Sequence, residues 1–262
     1  MTPKYETLDR RPIFILGMLQ RSGTNFLRDL LVRHPACAGT EVVAEDFLVH
    51  HAELLEEYCD WVHGHWADQY YPEEVEEGRV RLMRRLGDGL LEFVRESVEG
   101  RRPVVKTPSV RNIRLFYELF EDADLLVIVR DGRDLVESGM RSFGWGFEEA
   151  VRNWAHAVRT IRAFEERVGA ANRRWRLVRY EDLVTDLEGA LRAVFDTVGL
   201  DPRDFDFEAA GNLPVRGSST YRGGRDEVHW EAVGQTDTFR PLRRWADSVS
   251  YTHLTLPTKR IV

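Results

Sequence analysis

Only two cysteines, Cys37 and Cys59, stand in 262 residues, too few for a disulfide framework. No apolar run approaches the roughly 20 residues that a bilayer-spanning helix needs. The N-terminus has no apolar stretch of the signal-peptide kind, so the expected compartment is the reducing cytoplasm. Positive charge is not in excess either: 37 Lys and Arg against 44 Asp and Glu leave a net charge of −7. With no long basic stripe, nucleic acid is not an expected partner, and any anion site must be a local basic patch in an acidic surface. Cys59, His63 and His65 invite a zinc reading, but no further Cys or His at ligand spacing completes the set, so no metal is expected. Repeats and low-complexity segments are also missing, and the length suits one domain with a sizeable core.

What the chain has instead is a pair of short motifs. The first, PIFILGMLQRSGTNFL from Pro12 to Leu27, is an apolar run that ends in a small-residue loop. Ile13 to Leu16 read as a buried parallel strand, because both faces of such a strand must be apolar. Gly17 lets the chain leave the sheet, and Arg21, Ser22, Gly23 and Thr24 open a helix carrying Phe26, Leu27, Leu30 and Leu31. Backbone N–H groups and the helix dipole then converge where a phosphate fits, with the Arg21 cation at the mouth. A nucleoside triphosphatase or nucleotide kinase has the same order of elements. However, Gly17 and Gly23 lie one residue too far apart for GxxxxGK[ST], and no Lys follows Gly23.

The second motif, LLVIVRDGRDLVESGMRS from Leu125 to Ser142, is another buried strand with Arg130 at its carboxyl end, where open α/β sheets place ligands. Ser138 lies eight positions beyond Arg130 on the next helix, so a guanidinium and a hydroxyl are expected to clamp one phosphate. The alternation of strands and helices predicts an α/β three-layer sandwich: a central parallel sheet flanked by helices, with P-loop-like nucleotide-binding architecture.

These residues resemble the sulfotransferase family, in motif style nearest its bacterial members and the tyrosylprotein branch. RSGTNFL is similar to the family's 5′-phosphosulfate loop and VRDGRDLVES to its 3′-phosphate motif. VVKTPSVRNIRLFYELFEDADLLVIVRD and LVRYEDLVTDLEGALRAVFDTVGLD match further family stretches, so the likeness runs from about Pro12 to Trp245. The resemblance implies an enzyme that moves a sulfuryl group from 3′-phosphoadenosine 5′-phosphosulfate, its co-substrate, to an acceptor hydroxyl or amine, without a metal. It implies donor contacts at Arg21, Ser22, Gly23, Thr24, Asn25, Arg130 and Ser138. Asn25 departs from the Thr common there. Tyr180 is implied beside the adenine, with Phe26 an alternative on aromatic character. Arg216, Gly217 and Ser218 resemble a late loop over the 3′-phosphate.

Transfer needs positive charge around the equatorial oxygens, and Arg21 with Lys106, at the end of a strand over Pro103 to Val105, supplies it. It also needs a base. Glu41, where a second strand should end, resembles the catalytic Glu of the tyrosylprotein branch; Glu45 and His50 compete, a His having the better reference pKa. A nucleotide-binding protein that lost its base is the non-catalytic alternative.

The domain is expected over 1–247. A helical insert over 47–99, with Tyr58, Trp61, Trp66, Tyr70 and Tyr71, is a possible acceptor cap. Gly144 to Glu166 reads as an amphipathic helix and Pro202 to Asn212 as a linker-like loop. Residues 248–262 are expected to be a non-native or disordered tail: SYTHLTLPTKRIV has no acidic residue and resembles translated sequencing-adaptor read-through.

Overall fold

The computed structural model describes residues 10–40, 45–67, 72–169, 172, 174–214, 216, 234 and 241–248. Five strands form one parallel sheet in the order β2-β3-β1-β4-β5. They are β1 (Ile13–Gly17), β2 (Cys37–Gly39), β3 (Arg102–Thr107), β4 (Asp124–Val129) and β5 (Trp175–Arg179). The expected three-layer α/β sandwich is what the chain forms.

The inner strands are apolar on both faces because each face is covered. Phe14, Leu16, Val105, Leu125 and Val127 point to one core, and Ile13, Ile15, Val104, Leu126 and Ile128 to the other. Alternate residues of a strand face opposite sides, so one continuous apolar run feeds two cores. Helices α2 (Glu53–Ala67), α3 (Pro72–Glu96), α4 (Phe116–Leu119), α5 (Gly132–Phe143) and α6 (Phe147–Val168) pack on the first face. There Phe14 stacks on Phe120 at 4.9 Å between ring centroids and meets Phe116 edge-on at 5.3 Å. Helices α1 (Thr24–Leu31), α7 (Tyr180–Thr185), α8 (Leu187–Val198) and α9 (Phe207–Gly211) cover the other.

This division fixes the site. β1 and β4 are hydrogen-bonded neighbours, yet α1 leaves β1 toward one face and α5 leaves β4 toward the other. Their carboxyl ends therefore border a crevice, the topological switch point at which open α/β sheets bind ligands. The opposite end of the sheet is closed. Buried Arg102 pairs there with Asp124, donates to the Val198 carbonyl and donates from Nε to the Arg11 carbonyl at 2.9 Å.

Two expectations change. Pro202 to Asn212 is not a plain loop: it holds a 3-10 turn over Pro202–Asp204 and then α9. Asp201 and Asp206 cap these two turns through the Arg203 and Ala209 amides, and Phe205 and Phe207 pack on Phe195. Short capped turns carry too little periodicity to be read from sequence. Lys106 lies within β3, not just beyond its end, because the strand runs on to Thr107.

The 47–99 insert supplies α2 and α3, which pack together; buried Cys59 of α2 sits against Met83 of α3. Tyr58 and Trp61 are exposed, Trp66 is half-buried, and Tyr70 and Tyr71 lie outside the described residues. The tail from residue 249 also lies outside them, beyond a last helix α10 (Trp245–Ser248). No described helix is long and apolar enough to cross a membrane.

Candidate active site

The β1–α1 loop starts where Gly17 pairs with Ile128 and the Met18 amide donates to the Ile128 carbonyl at 3.0 Å, so the loop lies beside the end of β4. Ser22, expected among the phosphate donors, turns inward instead. It is fully buried, and its hydroxyl and amide donate to the Leu19 carbonyl at 2.7 and 3.3 Å, closing the loop on itself. That closure puts Arg21 at φ 73° and Gly23 at φ 105°, both left-handed. Gly23 is required twice over, since a Cβ there would also collide with the Tyr180 ring. Helix α1 then begins with no acidic residue in its first turn and no side-chain cap. Its first amides have no partner within the helix, which makes this end attractive to an anion.

Gly23→Ala is expected to cost about 1–2 kcal/mol from the left-handed backbone alone. It should also push Tyr180 aside. A lower urea midpoint together with weakened nucleotide binding in a calorimetric titration checks both effects.

Arg130 leaves the end of β4 and is only 9 % exposed. Its Nη1 donates to the Arg21 carbonyl at 2.9 Å and its Nη2 to the Pro241 carbonyl at 2.7 Å, and its guanidinium lies 4.6 Å from the centre of the Tyr180 ring. Its Nε is buried without a hydrogen-bond partner. Ser138 was expected to join Arg130. The structure gives it to Arg21, whose Nε donates to the Ser138 hydroxyl at 3.1 Å, because the left-handed turn at Arg21 carries that side chain across to α5. Burial, and after it the charges of Arg130 and Arg244, pull the Arg21 guanidinium down to about 10. Burial pushes the Tyr180 hydroxyl up, so the phenol stays neutral between the arginines.

These groups enclose a cavity of about 370 Å³. Arg21, Gly23, Thr24, Asn25, Phe26, Arg130, Tyr180 and Arg216 all line it, which brings eight of the sequence-predicted residues to one place. Phe26 meets Tyr180 edge-on at 6.2 Å, and since Arg130 covers one face of Tyr180, Phe26 is the less encumbered ring. Arg216 stands at the α1 side, its Nε 3.4 Å from the Asp29 carboxylate. Gly217 and Ser218 lie outside the described residues.

Sequence reasoning missed Asp29, Pro241 and Arg244, which line the same cavity. The doublet Arg243-Arg244 was the available signal, but nothing local says which of the two turns inward.

Lys106 stands apart from that lining. It is 7 % exposed, with Nζ 2.8 Å from the Glu45 carboxylate, and its charge reaches Asp29. The following turn is fastened to the strand: the Asp46 amide donates to the Lys106 carbonyl at 3.1 Å and the Phe47 amide to the Thr107 hydroxyl at 2.9 Å. Burial pushes the Asp46 carboxyl up. Nearby, His50 Nδ1 lies 2.8 Å from the Ser109 hydroxyl, and burial, then His51 and Arg111, pulls its imidazole down. Glu41, expected as the base, lies outside the described residues.

A parallel sheet with a glycine loop at its switch point and an arginine just past the adjoining strand is an α/β arrangement of the kind that takes up ligands at the carboxyl ends of its strands. The chain belongs to the sulfotransferase family: residues 12–204 match the model described as Sulfotransferase family. It is accordingly a sulfotransferase enzyme. Among solved structures it is similar to the sulfotransferase domain of the olefin synthase of Synechococcus PCC 7002, at 23 % identity and a TM-score of 0.51 over 85 % of this chain and 82 % of that one. It is also similar to the sulfotransferase domain from the curacin biosynthetic pathway, at 20 % identity and a TM-score of 0.51 over 86 % and 83 % of the two chains. Likeness at this identity establishes a shared fold. No curated protein sequence matches the chain.

Proposed function

We propose that the cavity binds 3′-phosphoadenosine 5′-phosphosulfate and that the enzyme passes its sulfuryl group to an acceptor hydroxyl or amine. The observation that carries this reading is the convergence of Arg21, Arg130 and Arg244 on one partly buried space, close enough that their mutual repulsion helps lower Arg21 to about 10. Like charges held together at a cost favour a ligand of high negative charge. A bisphosphorylated nucleotide with phosphates at both ends of its ribose fits that demand.

Arg21 with the first amides of α1, at Thr24 and Asn25, holds the 5′-phosphosulfate. Arg130, braced by the Arg21 and Pro241 carbonyls, holds the 3′-phosphate, and Ser138 acts by orienting Arg21. Phe26 and Tyr180 border the adenine. The acceptor oxygen attacks sulfur in line, the sulfur to phosphate-oxygen bond breaks, and adenosine 3′,5′-bisphosphate leaves. Arg21 and Lys106 stabilise charge on the sulfuryl and bridging oxygens, Lys106 by exchanging its Glu45 contact for the donor. The acceptor approaches over the turn from Phe47 to His51. Leu54, Tyr58 and Trp61 continue from it along one exposed face of α2, which suits an acceptor with an apolar or aromatic part.

Glu41, by its resemblance to the tyrosylprotein branch, takes the acceptor proton. Glu41→Gln is expected to keep donor affinity and lose roughly 100-fold or more in turnover, the scale of a general base. A variant with full turnover would remove Glu41 from the mechanism and leave Glu45 and His50.

Calorimetry with adenosine 3′,5′-bisphosphate beside ATP tests the site itself. The bisphosphate is expected to bind more tightly; a preference for ATP would overturn the reading.

A further inference from the structure

We propose that the exposed face of α2 is covered by the α2 of a second copy of this chain, packed antiparallel about a two-fold axis.

Leu54, Tyr58 and Trp61 are 60, 55 and 76 % exposed, and His65 continues their row in the open. On a helix these positions stand one above another, so they form a single stripe. Together they leave roughly 400 Å² of side chain bare, the size of the largest patch on an ordinary monomer.

The spacing of the stripe identifies its occupant. Steps of four, three and four residues read the same in both directions, with their midpoint between Cys59 and Asp60. A two-fold contact sets a surface against itself. An antiparallel helix pair about that midpoint places Leu54 opposite the second copy's His65, and Tyr58 opposite its Trp61, so every member of the row has a counterpart.

Charge permits the approach. An acidic helix would repel its copy, yet three of the four carboxylates of α2 are answered within the chain: Glu53 by Arg111 at 2.5 Å, Glu56 by Arg114 at 2.7 Å and Asp60 by Arg79 at 2.6 Å. Glu57, the fourth, is exposed beside the stripe, and the antiparallel pair brings it within about one turn of the second copy's His65. Gly64 follows Trp61 by three residues, and a Cβ there would meet nothing within 4 Å. Glycine weakens a helix interior, and no packing within this copy calls for it. A second backbone drawing close does.

Area sets the strength. Both stripes with the flanking Glu57, Gly64 and His65 bury about 1,000 Å² in all, the lower limit of a specific interface, so dissociation in the micromolar range is expected. The pair also bears on the acceptor. A lone helix face is convex whereas ligand sites are concave, and a second helix laid along it makes a groove that opens beside Phe47 to His51. That consequence rests on the function proposed above; the pairing itself does not.

Sedimentation of the free protein from about 1 to about 100 μM measures the pairing without donor or acceptor, so its outcome is separate from that of the nucleotide reading. Wild type should pass from monomer to dimer across that range. Trp61→Glu should stay monomeric throughout, with the thermal midpoint of wild type because the residue is exposed. Oxidative cross-linking checks the register. The native Cys37 and Cys59 are buried, so introduced thiols react alone. Leu54→Cys mixed with His65→Cys should give a covalent dimer, whereas either variant by itself should not, since like positions lie about 16 Å apart along the paired helices. A wild type still monomeric at about 100 μM, a dimer that survives Trp61→Glu, a mixture that fails to cross-link, or efficient cross-linking in Leu54→Cys by itself would each overturn the proposal.

Discussion

Replacing Arg130 with Ala is expected to lower affinity for adenosine 3′,5′-bisphosphate about 100-fold, near the upper end for a hydrogen bond between ions. Arg130 does three things at once: it donates to the Arg21 carbonyl, donates to the Pro241 carbonyl, and covers Tyr180. Without it the phosphate loses a fixed cation, and the Arg21 and Pro241 carbonyls lose their common donor. Stability of the free protein should change far less. Two carbonyls lose a donor, but Arg21 loses the stronger of the two like charges that lower it, and the two effects oppose each other. Arg130→Lys separates charge from geometry. An ammonium cannot donate along two fixed directions while lying flat on a ring, so the Lys variant should recover only part of the lost affinity. Calorimetry gives the affinity and thermal unfolding without nucleotide gives the stability. An Arg130→Ala protein that binds the bisphosphate like wild type would contradict the role assigned here.

Lys106→Met should have the opposite signature: turnover falls by roughly 100- to 1,000-fold, as for the loss of one preorganised donor to a developing charge, with donor affinity within about 3-fold. The basis is position. Lys106 lies in β3 and outside the lining of the donor cavity, yet close enough for its charge to reach Asp29 on the cavity wall. Its partner Glu45 is 31 % exposed and can turn to water when the ammonium is gone, so the substitution leaves no stranded buried anion. Glu45→Gln is the companion variant: it loosens Lys106 without removing it and should not reproduce the loss. A fall in donor affinity as large as the fall in turnover would make Lys106 a binding residue and not a catalytic one.

Much of this was legible because parallel sheets write themselves plainly. Ile13 to Leu16 and Leu125 to Val129 are apolar at every position, and only a strand covered on both faces asks for that. Once two such strands are neighbours, the residues following each are forced together, so Arg21 and Arg130 were placed at one site from sequence alone. What escaped depended on distance along the chain or on a single backbone angle. The Lys106 and Glu45 pair joins positions 61 residues apart, and the Arg243 amide donates to the Asp134 carboxylate across 109. No local pattern records such contacts. Ser138 went to Arg21 and not Arg130 because Arg21 is left-handed, a conformation its residue type does not announce. Ser22 is implied as a phosphate contact by the likeness of RSGTNFL to the family's 5′-phosphosulfate loop. Its burial, with the hydroxyl turned to the Leu19 carbonyl, follows from how tightly the loop closes.

The central claim is sulfuryl transfer from a donor held in this cavity. Incubating the protein with sulfur-labelled 3′-phosphoadenosine 5′-phosphosulfate and a panel of phenols, alcohols, amines and saccharides tests it most directly, with Arg130→Ala alongside. The predicted result is label on at least one acceptor with one adenosine 3′,5′-bisphosphate released per transfer, and a rate that collapses in the variant. Phosphoryl transfer from ATP with no sulfur label transferred, or sulfuryl transfer that survives Arg130→Ala at saturating and sub-saturating donor alike, would contradict it.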